Sequence, residues 1–364
     1  MAVYVIGTLI SVFFMWVYQA LSKSKLQYVK NGIYHPKVYS SIFVFLSFLS
    51  LTVISAVRFN VGSDYPSYYA LYAIPSSEDR YMQDEPFFAL FVQALKKVSV
   101  NPQFFFAITS IIICGSYFIV ICKESENKAL SILLFVLTQD YFIAMNGIRQ
   151  YLAIAILLFS LPAIITGKRK RAVLFLIVAY LFHNSAFVYL LFFIILWFSF
   201  TPLFLFTAAV ISFSMLTTIK DIIFPIVNKY THYGKFFLYT SEYSKSRFST
   251  TVFLTSCMIF LLVVYVFYFE NSKRDAKIKI LLSSSFMGVI FSIFSLVFPQ
   301  NLGRLGWYTN SVVIIYVPHL LKNIKSKKLQ NVITVCLVMV YMSGCIYCIL
   351  KGNHDVLPYT TIWE

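Results

Sequence analysis

Three arginines lie where apolar stretches of this chain end: Arg58, Arg149 and Arg304. An arginine at membrane depth costs about 2.5–3.5 kcal/mol on insertion scales, so it normally faces a partner or a water-filled cavity. A guanidinium group also binds phosphate through a planar, two-pronged contact and stays charged. We therefore expect the three side chains to share one electropositive cavity that binds a diphosphate.

Each arginine also has a structural explanation. Arg58 could extend to lipid headgroups, as charged residues at helix ends commonly do. Arg149 could pair with nearby Asp140, and Arg304 stands beside Trp307 and Tyr308, whose rings could belong to an aromatic belt at the membrane surface. The choice between ligand binding and structure depends on where the fold places each side chain.

Three acid–base side chains are candidates for removing a proton from a hydroxyl group. Asp64 and His183 are the preferred candidates, and Glu85 is the third choice. An imidazole accepts protons readily near neutral pH, and a carboxylate can do the same. The alternative for Glu85 is a helix start, because Asp84 and Glu85 directly precede Pro86. The alternative for His183 is a hydrogen-bonded structural residue within an apolar helix.

Polar and aromatic residues near these charged positions are candidates for contacts with a saccharide. Aromatic rings can stack on sugar faces, and side-chain amides can bind hydroxyl groups through hydrogen bonds. A helix continuing through positions 146–150 would place the amides there on one face with Arg149. The residues predicted to bind substrate are Asn60, Tyr65, Tyr68, Tyr69, Asn146, Gln150 and Asn184.

The composition shows what must position these residues. Of the 364 residues, 59% are apolar and 12% are charged, and there are 38 Phe and 26 Tyr. Soluble domains average about 45–50% apolar and about 25% charged residues. This composition excludes a soluble enzyme, a disordered chain and a disulfide-stapled secreted domain. It predicts an all-α, polytopic membrane protein.

A membrane-crossing helix needs about 20 predominantly apolar residues. Residues 172–218 are apolar almost throughout and are interrupted near His183, so they hold two or three crossings. Three crossings there give about twelve in total, with ten or eleven as alternatives and with some helices short or broken near His183. The other candidate spans are 2–20, 39–57, 104–122, 129–145, 150–166, 251–269, 280–298, 307–321 and 331–350.

The charge distribution favours twelve crossings with both termini outside. With three crossings in 172–218, one side of the membrane receives 18 of the 30 Lys and Arg residues and only four acids. This matches the excess of positive charge on cytoplasmic loops. The longer outer segments are then 58–103, with an interfacial helix at 87–98, and 219–250. We predict a single membrane domain over 1–364, and we attribute the net charge of +16 to the membrane rather than to nucleic acid.

Motifs for metal or nucleotide chemistry are missing from the sequence. There is no phosphate loop of the GxxxxGK[ST] type, no HExxH motif and no acidic pair suited to a metal–nucleotide complex. Cys345 and Cys348 have CxxC spacing, but they stand in an apolar stretch without further ligands, which favours core packing. We expect neither a metal nor a cofactor.

Four motifs follow one another in the first half of the chain: RFNVGSDYPSYY, DEPFFALF, MNGIRQYLAIAI and YLFHNSAFVYL. Their order and spacing resemble the EpsG-type family of Wzy-like exopolysaccharide and O-antigen repeat-unit polymerases. The resemblance covers residues 40–200 best, and NLGRLGWY and the VLPY tail extend it.

The resemblance implies a metal-independent glycosyltransferase, similar to the multi-spanning GT-C-like enzymes, in the bacterial inner membrane. It would join polyprenyl-diphosphate-linked oligosaccharide units on the extracytoplasmic face into exopolysaccharide, capsule or O-antigen. Its partners would be the lipid-linked donor and acceptor, the bilayer and a chain-length regulator. The alternatives are a flippase or transporter of lipid-linked saccharide and a polysaccharide ligase.

Overall fold

The computed structural model describes most of the chain. Most of the predicted outer segment 219–250, the middle of the segment 58–103 and the position of Asp84 lie outside the described residues. The described residues are 1–23, 36–73, 85–215, 218, 222, 225–226, 250–270, 272, 275–295 and 303–363.

The described residues are mainly helical, as the composition predicts, with short 3-10 turns at Asn184–Val188 and Arg304–Gly306. The α-helices are α1 (Ala2–Lys23), α2 (Pro36–Ala56), α3 (Tyr65–Ala73), α4 (Pro86–Val98), α5 (Pro102–Glu124), α6 (Lys128–Leu137), α7 (Asp140–Asn146), α8 (Ile148–Leu158), α9 (Leu161–Ile165), α10 (Arg169–Phe182), α11 (Tyr189–Phe198), α12 (Pro202–Ser214), α13 (Thr250–Phe269), α14 (Ala276–Phe294), α15 (Trp307–Lys322) and α16 (Lys327–Leu350).

Six helical stretches in the described chain are long and apolar enough to cross a membrane. The bent pair α6 and α7 adds a seventh if it counts as one span, and Ser41–Ala56, Asn184–Phe198 and Pro202–Ser214 are shorter apolar helices. The prediction of a helical membrane protein is confirmed, while the number of about twelve crossings stays a prediction. The six stretches are Ala2–Ser22, Pro102–Glu124, Ile148–Ile165, Val252–Phe269, Ala276–Phe294 and Lys327–Leu350.

The α6–α8 region contains two breaks. Gln139 adopts a left-handed conformation (φ 71°), and α6 and α7 are bent by 52° there. A second break at Gly147 (φ −81°, ψ 47°) separates α7 from α8. No helix continues through 146–150, because the backbone at Gly147 leaves the helical conformation, and this break lies between the predicted spans 129–145 and 150–166. Asn146 ends one helix and Arg149 lies in the first turn of the next.

The apolar run around His183 is also interrupted, as predicted. Helix α10 ends at Phe182, and His183 has an extended backbone (φ −159°, ψ 116°) before the 3-10 turn begins. The predicted helix at 87–98 is present as α4, which begins with Pro86 and carries Lys96 and Lys97 in its last turn. Its location at the membrane interface stays a prediction.

The described chain divides into two compact units, the first comprising Met1–Phe187 with Thr334–Glu364. In this unit α1 packs on α2 and α6, and α5 packs on α2 and α8. The chain after α16 returns across the loop at 57–63: Arg58 and Thr361 form an antiparallel bridge, and Ile362 N donates to Val57 O. We call residues 352–363 the C-terminal segment.

The second unit comprises Val188–Ile333. Helix α14 is its central element and packs against α13 and α15. Asp275 caps α14 by accepting hydrogen bonds from Lys277 N and Ile278 N, and its other carboxylate oxygen lies 2.7 Å from His319 Nε2.

Candidate functional site

Glu85 lies between two basic side chains in the first unit. Its Oε2 is 2.7 Å from Arg149 Nη1, and its Oε1 is 2.5 Å from His183 Nδ1. The Glu85 side chain is 5% exposed, whereas those of Arg149 and His183 are 19% and 18% exposed. The third-choice acid of the sequence analysis is therefore the centre of an acid–base cluster, by which we mean Glu85, Arg149 and His183.

Each member of the acid–base cluster sits at a helix end. Glu85 directly precedes α4, Arg149 lies in the first turn of α8 after the break at Gly147, and His183 directly follows α10. A carboxylate at a helix N-terminus is also favoured by the helix dipole. The helix breaks at Gly147 and at the polar run that begins with His183 therefore bring Arg149 and His183 to Glu85, although these residues are far apart in the sequence.

The electrostatics of the cluster keep Glu85 ionised. Burial raises the pKa of the Glu85 carboxyl, but the hydrogen bond and charge of His183 and those of Arg149 outweigh burial, so its pKa lies below the ordinary value. A carboxylate whose two oxygens are engaged by Arg149 and His183 is a weak proton acceptor. It is well suited to orienting the imidazole.

Of the two ring nitrogens of His183, Nδ1 contacts Glu85 Oε1. If Nδ1 donates its proton to Glu85, the neutral ring carries its lone pair on Nε2. Among the described residues, no hydrogen-bond partner occupies His183 Nε2. The geometry therefore leaves Nε2 able to accept a proton from a bound molecule.

Tyr68 and Asp64 adjoin the acid–base cluster through α3. The Tyr68 hydroxyl accepts a hydrogen bond from Arg149 N at 3.4 Å and also interacts with the Arg149 side chain. Burial raises the pKa of the Tyr68 phenol, and the negative charge of Asp64 one turn earlier raises it further. Asp64 is half-buried. Tyr68 is thus a buried partner of Arg149 rather than a ring open to a sugar.

Asn146 fixes the loop that carries Asp64. Its Oδ1 accepts hydrogen bonds from Ser63 Oγ and Asp64 N, both at 3.3 Å, and its Nδ2 donates to His354 O at 3.0 Å. Gly62 (φ 108°) approaches so closely that a Cβ atom there would lie 2.6 Å from Asn146 Oδ1. Asn146 therefore joins the loop to the C-terminal segment.

Arg58 is buried, with 1% exposure, and its contacts are with the protein itself. Its Nη1 donates to Ser55 O at 2.5 Å and its Nη2 to Met145 O at 3.0 Å, so one guanidinium caps the C-terminal ends of both α2 and α7. Burial lowers the pKa of Arg58 to about 10, which leaves it charged at neutral pH. The burial of Arg58 does not agree with the expected extension to lipid headgroups, and its bonds to two helix ends favour a capping role over a diphosphate contact.

The structure does not show the three arginines around a shared acceptor. Arg58 and Arg149 use different partners, and Arg304 belongs to the second unit, where it is exposed and lies 5.5 Å from the Trp307 ring. Arg149 forms an ion pair with Glu85, and Asp140, the partner suggested by the sequence, accepts a hydrogen bond from Tyr117 at 2.8 Å.

The remaining predicted substrate residues divide by exposure. Tyr65 and Gln150 are buried, Asn184 is half-buried, and Asn60 and Tyr69 are exposed. Sequence reasoning missed the part played by the C-terminal segment, whose only sequence signal was the VLPY tail. Among the described residues, no group of three or more His, Cys, Asp or Glu side chains is placed to hold a metal ion.

A family model described as the EpsG family matches residues 41–361. The chain belongs to the EpsG family. No curated protein and no solved structure matches the chain. The EpsG family assignment, together with the apolar helices, identifies an exopolysaccharide-related membrane protein.

The EpsG family match covers the acid–base cluster, Asn146 and the C-terminal segment as far as Thr361. The family therefore associates this site with polysaccharide biosynthesis.

Proposed function

We propose that this EpsG-family protein polymerises lipid-linked oligosaccharide repeat units on the extracytoplasmic face of the bacterial inner membrane. The observation that carries the proposal is the acid–base cluster, in which Glu85 orients His183 beside Arg149. Sugar transfer needs a proton acceptor and a stabiliser of negative charge, and the cluster offers both. About twelve crossings and a GT-C-like architecture are part of the same proposal.

In the proposed reaction, a hydroxyl oxygen of the acceptor unit attacks C1 of the donor sugar. The bond between C1 and the diphosphate oxygen breaks, and its electron pair leaves with the polyprenyl diphosphate. His183 Nε2 takes the hydroxyl proton as general base, a role worth about 10²–10⁴-fold in rate. Glu85 holds the imidazole through Nδ1, as a carboxylate does in a catalytic triad.

Arg149 is proposed to stabilise the charge that develops on the leaving diphosphate. Its guanidinium is partly exposed, and its position is fixed by Glu85 and Tyr68. Preorganised donors of this kind act without rearranging during the reaction. Arg58 is assigned a structural role, and Arg304 stays a proposed second diphosphate contact.

Asp64 is the competing candidate for the general base. It is half-buried, and its main chain is held by Asn146 beside Tyr68. We favour His183 because a buried carboxylate orients it, whereas the described residues offer Asp64 no comparable orienting group. Asp64→Asn and His183→Ala variants separate the two assignments.

The test uses purified protein in vesicles that contain a lipid-linked repeat unit, with product length measured on gels. His183→Ala should lower chain elongation by about 10²–10⁴-fold. His319→Ala is the matched control, since His319 forms a similar pair with Asp275 in the second unit. Normal elongation by His183→Ala would overturn the assignment of the base.

One observation favours a second function, transport of the lipid-linked saccharide. Helices α6 and α7 form a broken span, and discontinuous helices are common at transporter binding sites. The same vesicles distinguish the functions, because a flippase moves the lipid between leaflets without chain growth. A ligase would instead transfer finished polymer to a different acceptor, which the product mass reveals.

A further inference from the structure

Two exposed aromatic rings stand on a rigid base next to the acid–base cluster. Phe59 is 44% exposed and Tyr69 is 41% exposed, and both rings pack against Tyr65. Tyr65 is itself buried and stacked on Phe106 with ring centroids 4.1 Å apart and planes within 9°. We call Phe59, Tyr65, Tyr69 and Phe106 the aromatic platform.

Hydrogen bonds hold the base of the platform. Tyr65 Oη donates to Gln103 Oε1 at 3.2 Å, and Gln103 Nε2 donates to Ala56 O and Arg58 O. The side chain of Gln103 therefore ties the ring of Tyr65 to the end of α2. A ring held in this way loses little conformational entropy when a ligand stacks on its neighbours.

The C-terminal segment holds the main chain at Phe59, which carries one of the exposed rings. Phe59 N donates to Thr360 O at 3.0 Å, and the Thr360 hydroxyl donates to Phe59 O. The next residue, Asn60, has a left-handed backbone (φ 50°) and an exposed side chain. No hydrogen bond engages the side-chain amide of Asn60 within the described part of the chain. An exposed side-chain amide thus directly follows the exposed ring of Phe59 in the loop.

The location of the platform argues against a simple lipid contact. Exposed aromatic residues such as Phe45 lie on apolar helices, where lipid is the expected neighbour. Phe59 lies in a loop, and Tyr69 lies on α3, which has nine residues and is too short to span a bilayer. Ring contacts run from Tyr68, which accepts a hydrogen bond from Arg149 N, through Phe105 to Phe106, on which Tyr65 stacks. The base of the platform therefore belongs to the same aromatic cluster as the partner of Arg149.

We propose that the exposed rings of Phe59 and Tyr69, with the Asn60 amide, form a saccharide subsite that holds the oligosaccharide next to the acid–base cluster. This inference rests on the proposed function for its ligand class. Rings supply flat apolar surfaces for the C–H faces of sugars, and the amide supplies both a donor and an acceptor for hydroxyl groups. Tyr65 supports the rings without touching the sugar.

The test measures binding of lipid-free oligosaccharides, released by partial hydrolysis of the polysaccharide that cells carrying the protein make. Tyr69→Trp places a fluorescent reporter on the platform, and titration should shift its emission. Phe59→Ala and Tyr69→Ala, measured by calorimetry, should each weaken binding by about five- to tenfold, the scale expected for one stacked ring. Phe45→Ala is the matched control and should bind like the unaltered protein.

A second titration, with polyprenyl phosphate that carries no sugar, separates saccharide from lipid binding. The platform variants should bind this lipid normally. Equal oligosaccharide affinity in Phe59→Ala, Tyr69→Ala and the unaltered protein would overturn the subsite, as would no binding by the unaltered protein or a loss of lipid binding alone. If oligosaccharide binding depends on the platform but no chain elongation occurs in vesicles, the subsite stands and the polymerase assignment fails.

Discussion

Replacing Glu85 with glutamine removes one negative charge from the acid–base cluster and changes its shape very little. The carboxylate accepts hydrogen bonds from Arg149 at 2.7 Å and from His183 at 2.5 Å. A neutral amide can still accept a hydrogen bond, but it no longer balances the positive charge of Arg149. The variant therefore isolates the electrostatic part of the cluster.

The expected loss of stability follows from these two contacts. Hydrogen bonds to charged groups contribute about 1.5–3 kcal/mol each, and an amide retains part of that. Removing one partner of a buried ion pair costs about 3–5 kcal/mol, and the cost here is lower because Arg149 and His183 are nearly one-fifth exposed. We expect Glu85→Gln to lower the free energy of unfolding by about 2–4 kcal/mol at neutral pH.

The pH dependence of this loss has a definite sign. The pKa of Glu85 is lower in the folded protein than its ordinary value of 4.5, so its stabilisation is complete above that value and disappears as pH falls through the folded pKa. The stability difference between the unaltered protein and Glu85→Gln should therefore shrink as the pH falls below the ordinary carboxyl value of 4.5. Thermal unfolding in detergent across this range measures it.

A double-mutant cycle provides the control. Arg149→Gln in the Glu85→Gln background removes the unbalanced charge, so the double variant should be less destabilised than the sum of the single variants. Additive effects, or a loss for Glu85→Gln that is the same in acid and at neutral pH, would refute the assignment of Glu85 as a buried, ionised bridge.

Three further substitutions test the supports of the site by thermal unfolding. Gly62→Ala should lower the free energy of unfolding by about 2–4 kcal/mol, because an alanine there is strained and its Cβ atom clashes with Asn146. Gly167→Ala is the control: it has open space around it and should lose only about 1 kcal/mol. Equal losses for the two variants would contradict this explanation. Tyr117→Phe should lose about 1–3 kcal/mol because the buried carboxyl group of Asp140 loses a hydrogen-bond donor, and no loss would contradict this hydrogen bond. Arg58→Met should lower the free energy of unfolding by at least about 3 kcal/mol, because the ends of α2 and α7 lose their cap. If the variant is as stable as the unaltered protein but forms no polymer, Arg58 binds a ligand instead.

Local sequence patterns predicted much of the helical structure. The break after Phe182 was evident from the polar run that begins at His183, and the helix start at Pro86 was evident as the alternative reading of Glu85. The break at Gly147 lies between the predicted spans 129–145 and 150–166, so the condition under which Asn146 and Arg149 would share one helix face is not met. The bend at Gln139 was missed, because it lies inside the apolar stretch predicted as one span.

The sequence identified the candidate residues of the site but not which of them contact each other. Glu85 and His183 are 98 positions apart, and Asn146 and His354 are 208 positions apart. Spacing in a sequence reports distance only within one helix or strand, so it gave no reason to prefer Glu85 over Asp64. The pattern of charges at helix ends was equally consistent with three arginines around one ligand.

By itself the sequence determined that this chain folds in a membrane, because stretches of apolar residues long enough to cross hydrocarbon must form helices whose backbone groups are satisfied internally. It also determined which polar residues interrupt those helices. Only the tertiary structure decided that Glu85 bridges Arg149 and His183, that Arg58 is buried between two helix ends, and that the C-terminal segment holds the loop at 57–63. The physical reason is that a charged side chain at a helix end finds its partner on another helix, and packing of the helices sets that choice.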